Sequence, residues 1–445
     1  MTEVTVGIDI GTTSVKAVAA DGDGQVLARC RVPHPVLIPE GDRLEHDARR
    51  AWRRSPRTAL ATILREQTGD VRALSVSSMI PSLTAVDRRG MPLTPGLLYG
   101  DARGRVKDAE PGSPITGEFG GFLDWSREQA PNARGYWPAT AVANFALSGE
   151  AAIDGGQAGV AFPIWNGQDW DPQRVAEHGI TVDQLPRIEP TGAPIGRVGQ
   201  AILASGAVDA MGEQIVAGAD DDGDVLVIMG TTLITWLTIP SWVQAPGIWT
   251  IPHTAPGKMM MGGPSNAGGL FLNWATKLLG RAQPPSDPAR VPVWEPYVRG
   301  ERTPLHDPNR RAALHRLELT TDAGGIRRAA FEASGFVVRH HLDLATSAPN
   351  AATTPSRIVA TGGGTRVPEW LQALADCTGL PVDVAAVPEG GALGAAFVAR
   401  MAAGLESSVA DAGRWARLSG RIEPDPAWAS AVEERYQCFR SLAGS

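Results

Sequence analysis

Lysine is nearly missing from this chain: Lys16, Lys107, Lys258 and Lys277 are four of 41 basic residues, and arginine supplies the rest. That bias follows base composition and excludes nothing by itself. Cysteine is almost as scarce. Cys30, Cys377 and Cys438 are odd in number and lack ligand-like spacing, which excludes a disulfide framework and a zinc site and fits a reducing cytoplasm. No run of 18 apolar residues occurs, and the start carries no basic stretch followed by an apolar one, so neither a membrane span nor export is expected. Net basic charge is lacking too. A formal charge of -7 leaves no broad face for tracking phosphates along a nucleic acid, and small-molecule partners are favoured.

What is present is an ordinary globular composition, 43% hydrophobic and 20% charged, in 445 residues. That length exceeds one compact core and suits two domains of roughly 200 residues each. An internal repeat divides it. Val6-Gly7-Ile8-Asp9-Ile10-Gly11-Thr12-Thr13 is echoed by Val225-Leu226-Val227-Ile228-Met229-Gly230-Thr231-Thr232, and each copy returns as a second apolar run, 14–20 and 233–239. Each reads as strand, tight turn and strand. Gly11 and Gly230 are 219 residues apart, about half the chain. Glycine lets a phosphate approach the backbone, and the threonines after it offer hydroxyl and amide donors. Two such turns across an interdomain cleft would grip the ends of a polyphosphate.

Periodicity predicts helices near 47–66, 266–280, 322–346, 367–379, 390–404 and 426–441, and buried strands at 73–77 and 357–360. Stretches 110–121 and 283–292 read as loops, and the domain boundary is expected near Asp222, giving domains 1–222 and 223–445. Of the thirteen tryptophans, Trp125, Trp137, Trp274 and Trp370 fall in apolar periodic segments and are expected in the core.

These segments, in order, resemble the FGGY carbohydrate kinases: residues 7–16, Glu45-His46-Asp47 with Trp52, 86–103, Gly230-Thr231-Thr232, 296–304 and 362–396. Tyr297-Val298-Arg299-Gly300-Glu301-Arg302-Thr303-Pro304 is the most specific of them. The resemblance implies an α/β protein of two duplicated actin-like (ribonuclease H-like) ATPase domains, and a cytoplasmic kinase using ATP and Mg²⁺ on a sugar, polyol or related hydroxylated molecule, with no nucleic-acid or membrane partner and a homodimer as the expected assembly. It implies phosphate contacts at Gly11, Thr12, Thr13, Lys16, Gly230, Thr231 and Thr232, an adenosine cradle at Gly362, Gly363 and Gly364, and a further nucleotide-side loop at Gly268. Asp9 is the implied magnesium carboxylate, acting through water because Mg²⁺ keeps much of its shell.

On the substrate side the resemblance implies contacts from Asp101 and Arg103, and from Met79, Ile80 and Pro81 where xylulokinase-like members carry a Met-His pair. Losing that imidazole removes a donor and acceptor for a ketose hydroxyl, which argues against D-xylulose. Gly218-Ala219-Asp220-Asp221 matches the run that holds the general base, giving Asp221 that role. Relatives place about twenty residues, including a helix, between base and second hairpin. Here Gly230 follows Asp221 by nine, so a pocket wall is expected to be missing, the pocket wider and its substrate bulkier than a pentulose. The same shortening motivates a rival reading, a member that binds nucleotide or sugar without phosphotransfer. An actin-like ATPase acting on a protein is the third.

Overall fold

The computed structural model describes residues 3–66, 69–104, 117–280, 282, 285, 287–349 and 351–443. The chain forms two compact units, Met1–Val216 with Glu389–Trp415, and Ala217–Pro388 with Ala416–Ser445. The packing differs from the expected halves 1–222 and 223–445 chiefly by one exchange. The Gly390–Ala402 helix, late in the chain, lies on the first strand of the first unit. Gly7 shows how closely: a Cβ there would stand 1.8 Å from the Ala392 carbonyl oxygen.

Each unit is built on a seven-stranded sheet with one recurring pattern. In the first, Glu3–Ile10 pairs antiparallel with Ser14–Ala20, which pairs with Val26–Pro33, while Asp70–Ser78 runs parallel on the other side of Glu3–Ile10. In the second, Asp224–Met229 pairs antiparallel with Leu233–Ile239, which pairs with Met259–Ser265, and Arg357–Thr361 runs parallel beside Asp224–Met229. The central strands are buried along almost their whole length, which is why they read as continuous apolar runs. The repeat seen in the sequence is thus a repeat of topology.

The predicted helices appear as Ser55–Glu66, Gly269–Leu279, Ala323–Thr346, Pro368–Thr378, Gly390–Ala402 and Ala429–Ala443. Two others carry no readable stripe. Ala139–Ser148 is buried from Ala139 through Asn144, so no polar face marks its period. Glu118–Gln129 begins inside the stretch expected to be a loop, its glycines masking the start; residues 110–116 of that stretch lie outside the described residues. Of the expected loop 283–292, residues 283, 284 and 286 lie outside them too, and Pro288–Arg290 forms a short 3-10 turn capped by Asp287. Trp137 and Trp370 are core residues as expected, but Trp274 is 43% exposed and Trp125 is half-buried beneath the Arg103 guanidinium, 4.7 Å from its ring.

Candidate active site

In the first unit three neighbouring strands end level with one another. Ile10 pairs with Ser78, and Val208 of the short Ala207–Val208 strand pairs with Ser78 from the other side, both in parallel. The residues just beyond those three ends are therefore neighbours: the Gly11-Thr12-Thr13 turn, the Met79-Ile80-Pro81 segment, and Asp209, the first residue of the Asp209–Ile215 helix. The carboxyl ends of parallel strands are where open α/β sheets receive ligands. The Met79 amide donates to the Ile10 carbonyl at 3.3 Å, fixing that segment against the hairpin. Met79 and Pro81 are buried and Ile80 is half-buried, so this wall is apolar.

Charge gathers at the same edge. Asp9 is buried; one carboxylate oxygen lies 3.5 Å from the Lys16 ammonium across the hairpin, and the other is buried with no hydrogen-bond partner. Burial pushes the Asp9 carboxyl above its ordinary range, against the pull of Lys16. Burial lowers Lys16, but Asp9, Glu213, Glu389 and Asp209 together overcome it and hold the ammonium above its usual value. Asp209 is pushed up to about 7, first by burial and then by the Asp9 carboxylate, with Glu213 adding to the rise. A half-buried carboxylate tuned to neutrality beside an ammonium and a second carboxylate is equipped for proton transfer.

Sequence reasoning missed Asp209. A readable signal lay in the spacing: Gly230 comes 21 residues after Asp209, with a helix between, which is the interval the family resemblance calls for. Asp221 stands elsewhere. It is exposed in a turn before Asp224–Met229, its amide donating to an Asp224 carboxylate oxygen at 3.3 Å. The six residues of that strand, at roughly 3.3 Å each, put Asp221 about 20 Å from the Gly230 turn at the opposite strand end. Its neighbours are structural: Lys258 pairs with Asp222 at 2.7 Å, and Arg357 with Asp224 at 2.8 Å. Counted from Asp209, the interval before Gly230 holds a helix, Asp209–Ile215, so the shortening read from Asp221 does not apply.

Asp101 is engaged within its own unit, with Arg103 as its ion-pair partner. Asp101 is fully buried, and its two oxygens accept the Leu44 amide at 2.6 Å, the Arg103 amide and Nε at 2.8 Å each, and an Arg103 terminal nitrogen at 2.7 Å. A carboxylate has about four acceptor sites, so nothing remains for a substrate hydroxyl. The same Arg103 nitrogen reaches Glu45 at 2.8 Å. Asp101 is an internal clamp on the strand ends. Beside it, the Tyr99 hydroxyl lies 2.8 Å from Thr12 Oγ1, linking the substrate-side segment to the first hairpin.

In the second unit Ile228 pairs with Thr361 in parallel, so Gly230-Thr231-Thr232 and Gly362-Gly363-Gly364 come just after neighbouring strand ends. The Gly269–Leu279 helix closes the arrangement: the Gly269 amide donates to the Gly230 carbonyl at 2.8 Å and the Leu270 amide to the Thr231 carbonyl at 3.1 Å. Orphan amides of a helix start and carbonyls of a turn satisfy one another. Gly268 permits this approach, since a Cβ there would lie 2.5 Å from the Leu233 amide nitrogen. The three glycines at 362–364 serve different ends. Gly362 has φ of +89°, and a Cβ at Gly364 would strike the Trp370 ring at 2.3 Å, whereas Gly363 alone faces open space.

The residues fit magnesium in one respect: Asp9 presents a buried carboxylate oxygen with no hydrogen-bond partner, the kind of donor a hard cation takes. Among the described residues no group of three or more His, Cys, Asp or Glu side chains is placed to hold a metal.

Residues 4–107 match the N-terminal domain, and residues 225–403 the C-terminal domain, of the FGGY family of carbohydrate kinases. The chain belongs to that family. FGGY carbohydrate kinases are phosphotransferases with an alcohol acceptor, and the chain is accordingly an ATP-dependent sugar kinase by family, with the duplicated actin-like ATPase fold. It is 26% identical to the xylulose kinase of Escherichia coli K12, covering 98% of each chain, and 25% identical to the gluconokinase of Bacillus subtilis, covering 91% of this chain and 88% of that one. The xylulose kinase structure from Rhodospirillum rubrum superposes with a TM-score of 0.77 at 26% identity, over 99% of this chain and 98% of that one. A gluconate kinase structure from Lactobacillus acidophilus gives 0.79 at 22% identity, over 100% and 99%. Among the described residues no helix is long and apolar enough to cross a membrane. Asp209 falls in neither matched stretch.

Proposed function

We propose that this FGGY kinase transfers the terminal phosphoryl group of ATP to a hydroxyl of a small sugar or polyol other than free D-xylulose, with Asp209 as general base. The observation that carries this reading is the placement of Asp209, tuned to about 7, level with the Gly11-Thr12-Thr13 turn at the ends of neighbouring strands. Asp209 accepts the acceptor's hydroxyl proton. Lys16 and the turn amides of Thr12 and Thr13 hold oxygens of the transferring phosphate. In the second unit Gly230, Thr231 and Thr232 receive the nucleotide's phosphates, Gly268 lets the Gly269–Leu279 helix start close beside them, and Gly363 leaves room for the adenosine.

Magnesium would be held through water by Asp9, where it spreads and offsets the charge of the phosphate oxygens. The case against D-xylulose rests on the Ile80-Pro81 segment alone, since the helix at 209–215 restores the spacing on which the widened pocket was argued. A member without phosphotransfer has no support from spacing once Asp209 takes the place of Asp221.

Acceptor-dependent ADP formation tests the reading. Purified protein with Mg-ATP is offered pentuloses, hexuloses, polyols and aldonates; at least one should raise ADP release well above the acceptor-free rate, with D-xylulose a poor substrate by kcat/KM. ADP release that no acceptor increases would contradict the kinase reading, and efficient turnover of D-xylulose would contradict its specificity.

A further inference from the structure

The first hairpin turn has all four of its carbonyls engaged. The Gly11 amide closes the turn onto the Ser14 carbonyl at 3.1 Å, and the His34 amide holds the Thr13 carbonyl at 3.0 Å. The other two are held by side chains from outside the hairpin: His34 Nε2 lies 3.0 Å from the Gly11 carbonyl oxygen and His46 Nε2 lies 2.7 Å from that of Thr12. The imidazoles meet edge to face, 4.6 Å between centroids.

Chemistry fixes the tautomers. An indole N–H can only donate, and Trp52 Nε1 donates to His46 Nδ1 at 2.9 Å. Nδ1 of His46 is therefore bare and Nε2 carries the hydrogen, which it donates to Thr12. Facing a carbonyl, His34 Nε2 must donate as well. Trp52 and His46 are fully buried and His34 nearly so, and the Trp52 ring is packed against Gly96, where a Cβ would come within 2.3 Å of it. The relay from Trp52 through His46 to Thr12 thus starts from an immobile point.

A trans peptide is planar, with its C=O and the next N–H pointing in opposite directions. Pinning the carbonyls of Gly11 and Thr12 toward the imidazoles therefore turns the amides of Thr12 and Thr13 the other way. We propose that His34 and His46, the latter oriented by Trp52, are positioning residues that preset the first hairpin's amides for the transferring phosphate. The inference rests on the reading that this hairpin takes that phosphate. Fixed donors that need no reorganisation during reaction are the form of electrostatic stabilisation enzymes use most heavily.

The test uses steady-state kinetics and thermal unfolding of the full chain with Mg-ATP and its best acceptor. His46→Phe keeps the ring and loses both hydrogen bonds; kcat should fall about 10- to 100-fold, as for displaced supporting groups, with acceptor KM within about twofold. His46→Gln can still accept from Trp52 and donate to Thr12, and should recover kcat to within about threefold of wild type. Trp52→Phe, which frees the tautomer, should lie between them. A merely structural His46 would move stability without this ordering, so kcat of His46→Phe near wild type, or equal to that of His46→Gln, overturns the inference. Lys16→Met separates the two layers. Wild-type turnover in Lys16→Met would overturn the phosphate reading and this inference with it, whereas a dead Lys16→Met beside a fully active His46→Phe overturns the inference alone.

Discussion

At Gly11-Thr12-Thr13 two turn carbonyls are held by imidazoles brought in from outside the hairpin, whereas at Gly230-Thr231-Thr232 the corresponding two are held by the opening amides of a helix. The strand arrangement around the turns is the same in both units. Duplication has kept the geometry of the turn and changed the agent that fixes it. A turn held by side chains can be loosened by changing those side chains, while a turn held by backbone amides is vulnerable only where the backbone approach is blocked. The first hairpin has titratable company in Asp9, Lys16 and Asp209, and the second has Glu301, which burial pushes up to about 7 and whose neighbour Arg302 reaches Thr232 Oγ1 at 3.3 Å, so both are expected to respond to pH.

The strongest way to break this contrast is Gly268→Ala. The added carbon would lie 2.5 Å from both the Leu233 amide nitrogen and the Thr232 carbonyl carbon, and neither can yield. The helix should part from the second hairpin, cutting turnover by at least about 100-fold and removing thermal stabilisation by Mg-ATP. Nucleotide stabilisation equal to wild type would show that the helix amides do not set that turn.

Asp101→Asn should act on stability. Replacing a buried carboxylate that accepts four N–H groups with an amide leaves donors facing donors, at a cost of about 2–4 kcal/mol in urea unfolding, with kcat of the folded protein little changed. Unchanged stability with a raised acceptor KM would return Asp101 to the substrate site.

The pH profile should be smaller in reach. A base must be deprotonated to accept a proton, and with Asp209 held at about 7 the competent fraction drops with acidity. Below that value kcat should fall about tenfold per pH unit, and above it level off. A rate flat from pH 5.5 to 8 would exclude Asp209 at this value. The mildest change is Tyr99→Phe, which removes the contact with Thr12 Oγ1 and should lower kcat by about two- to fivefold.

The duplicated sheets, the helix positions and both Gly-Thr-Thr turns were legible because apolar period and turn chemistry are local properties. Asp209 was not, for a physical reason: its strand, Ala207–Val208, is two residues long and its helix seven, too short for any periodicity. The run of acids at 220–222 offered a stronger pattern, yet in space it caps the wrong end of a strand. Asp101 looked like a ligand because a sequence shows a carboxylate and an arginine but not that four N–H groups already occupy the carboxylate. The pairing of His34 and His46 with the turn depends on contacts across 23 and 34 residues, which no local pattern reports.

The most direct test compares Asp209→Asn with Asp221→Asn in one assay of ADP formation with the best acceptor, alongside Mg-ATP thermal shifts. Asp209→Asn should lose about 10²–10⁴ in kcat while keeping its Mg-ATP stabilisation, because it removes proton acceptance and leaves the hairpins intact. Asp221→Asn, exposed about 20 Å from the second turn, should stay within about twofold of wild type. A dead Asp221→Asn beside an active Asp209→Asn would contradict the account.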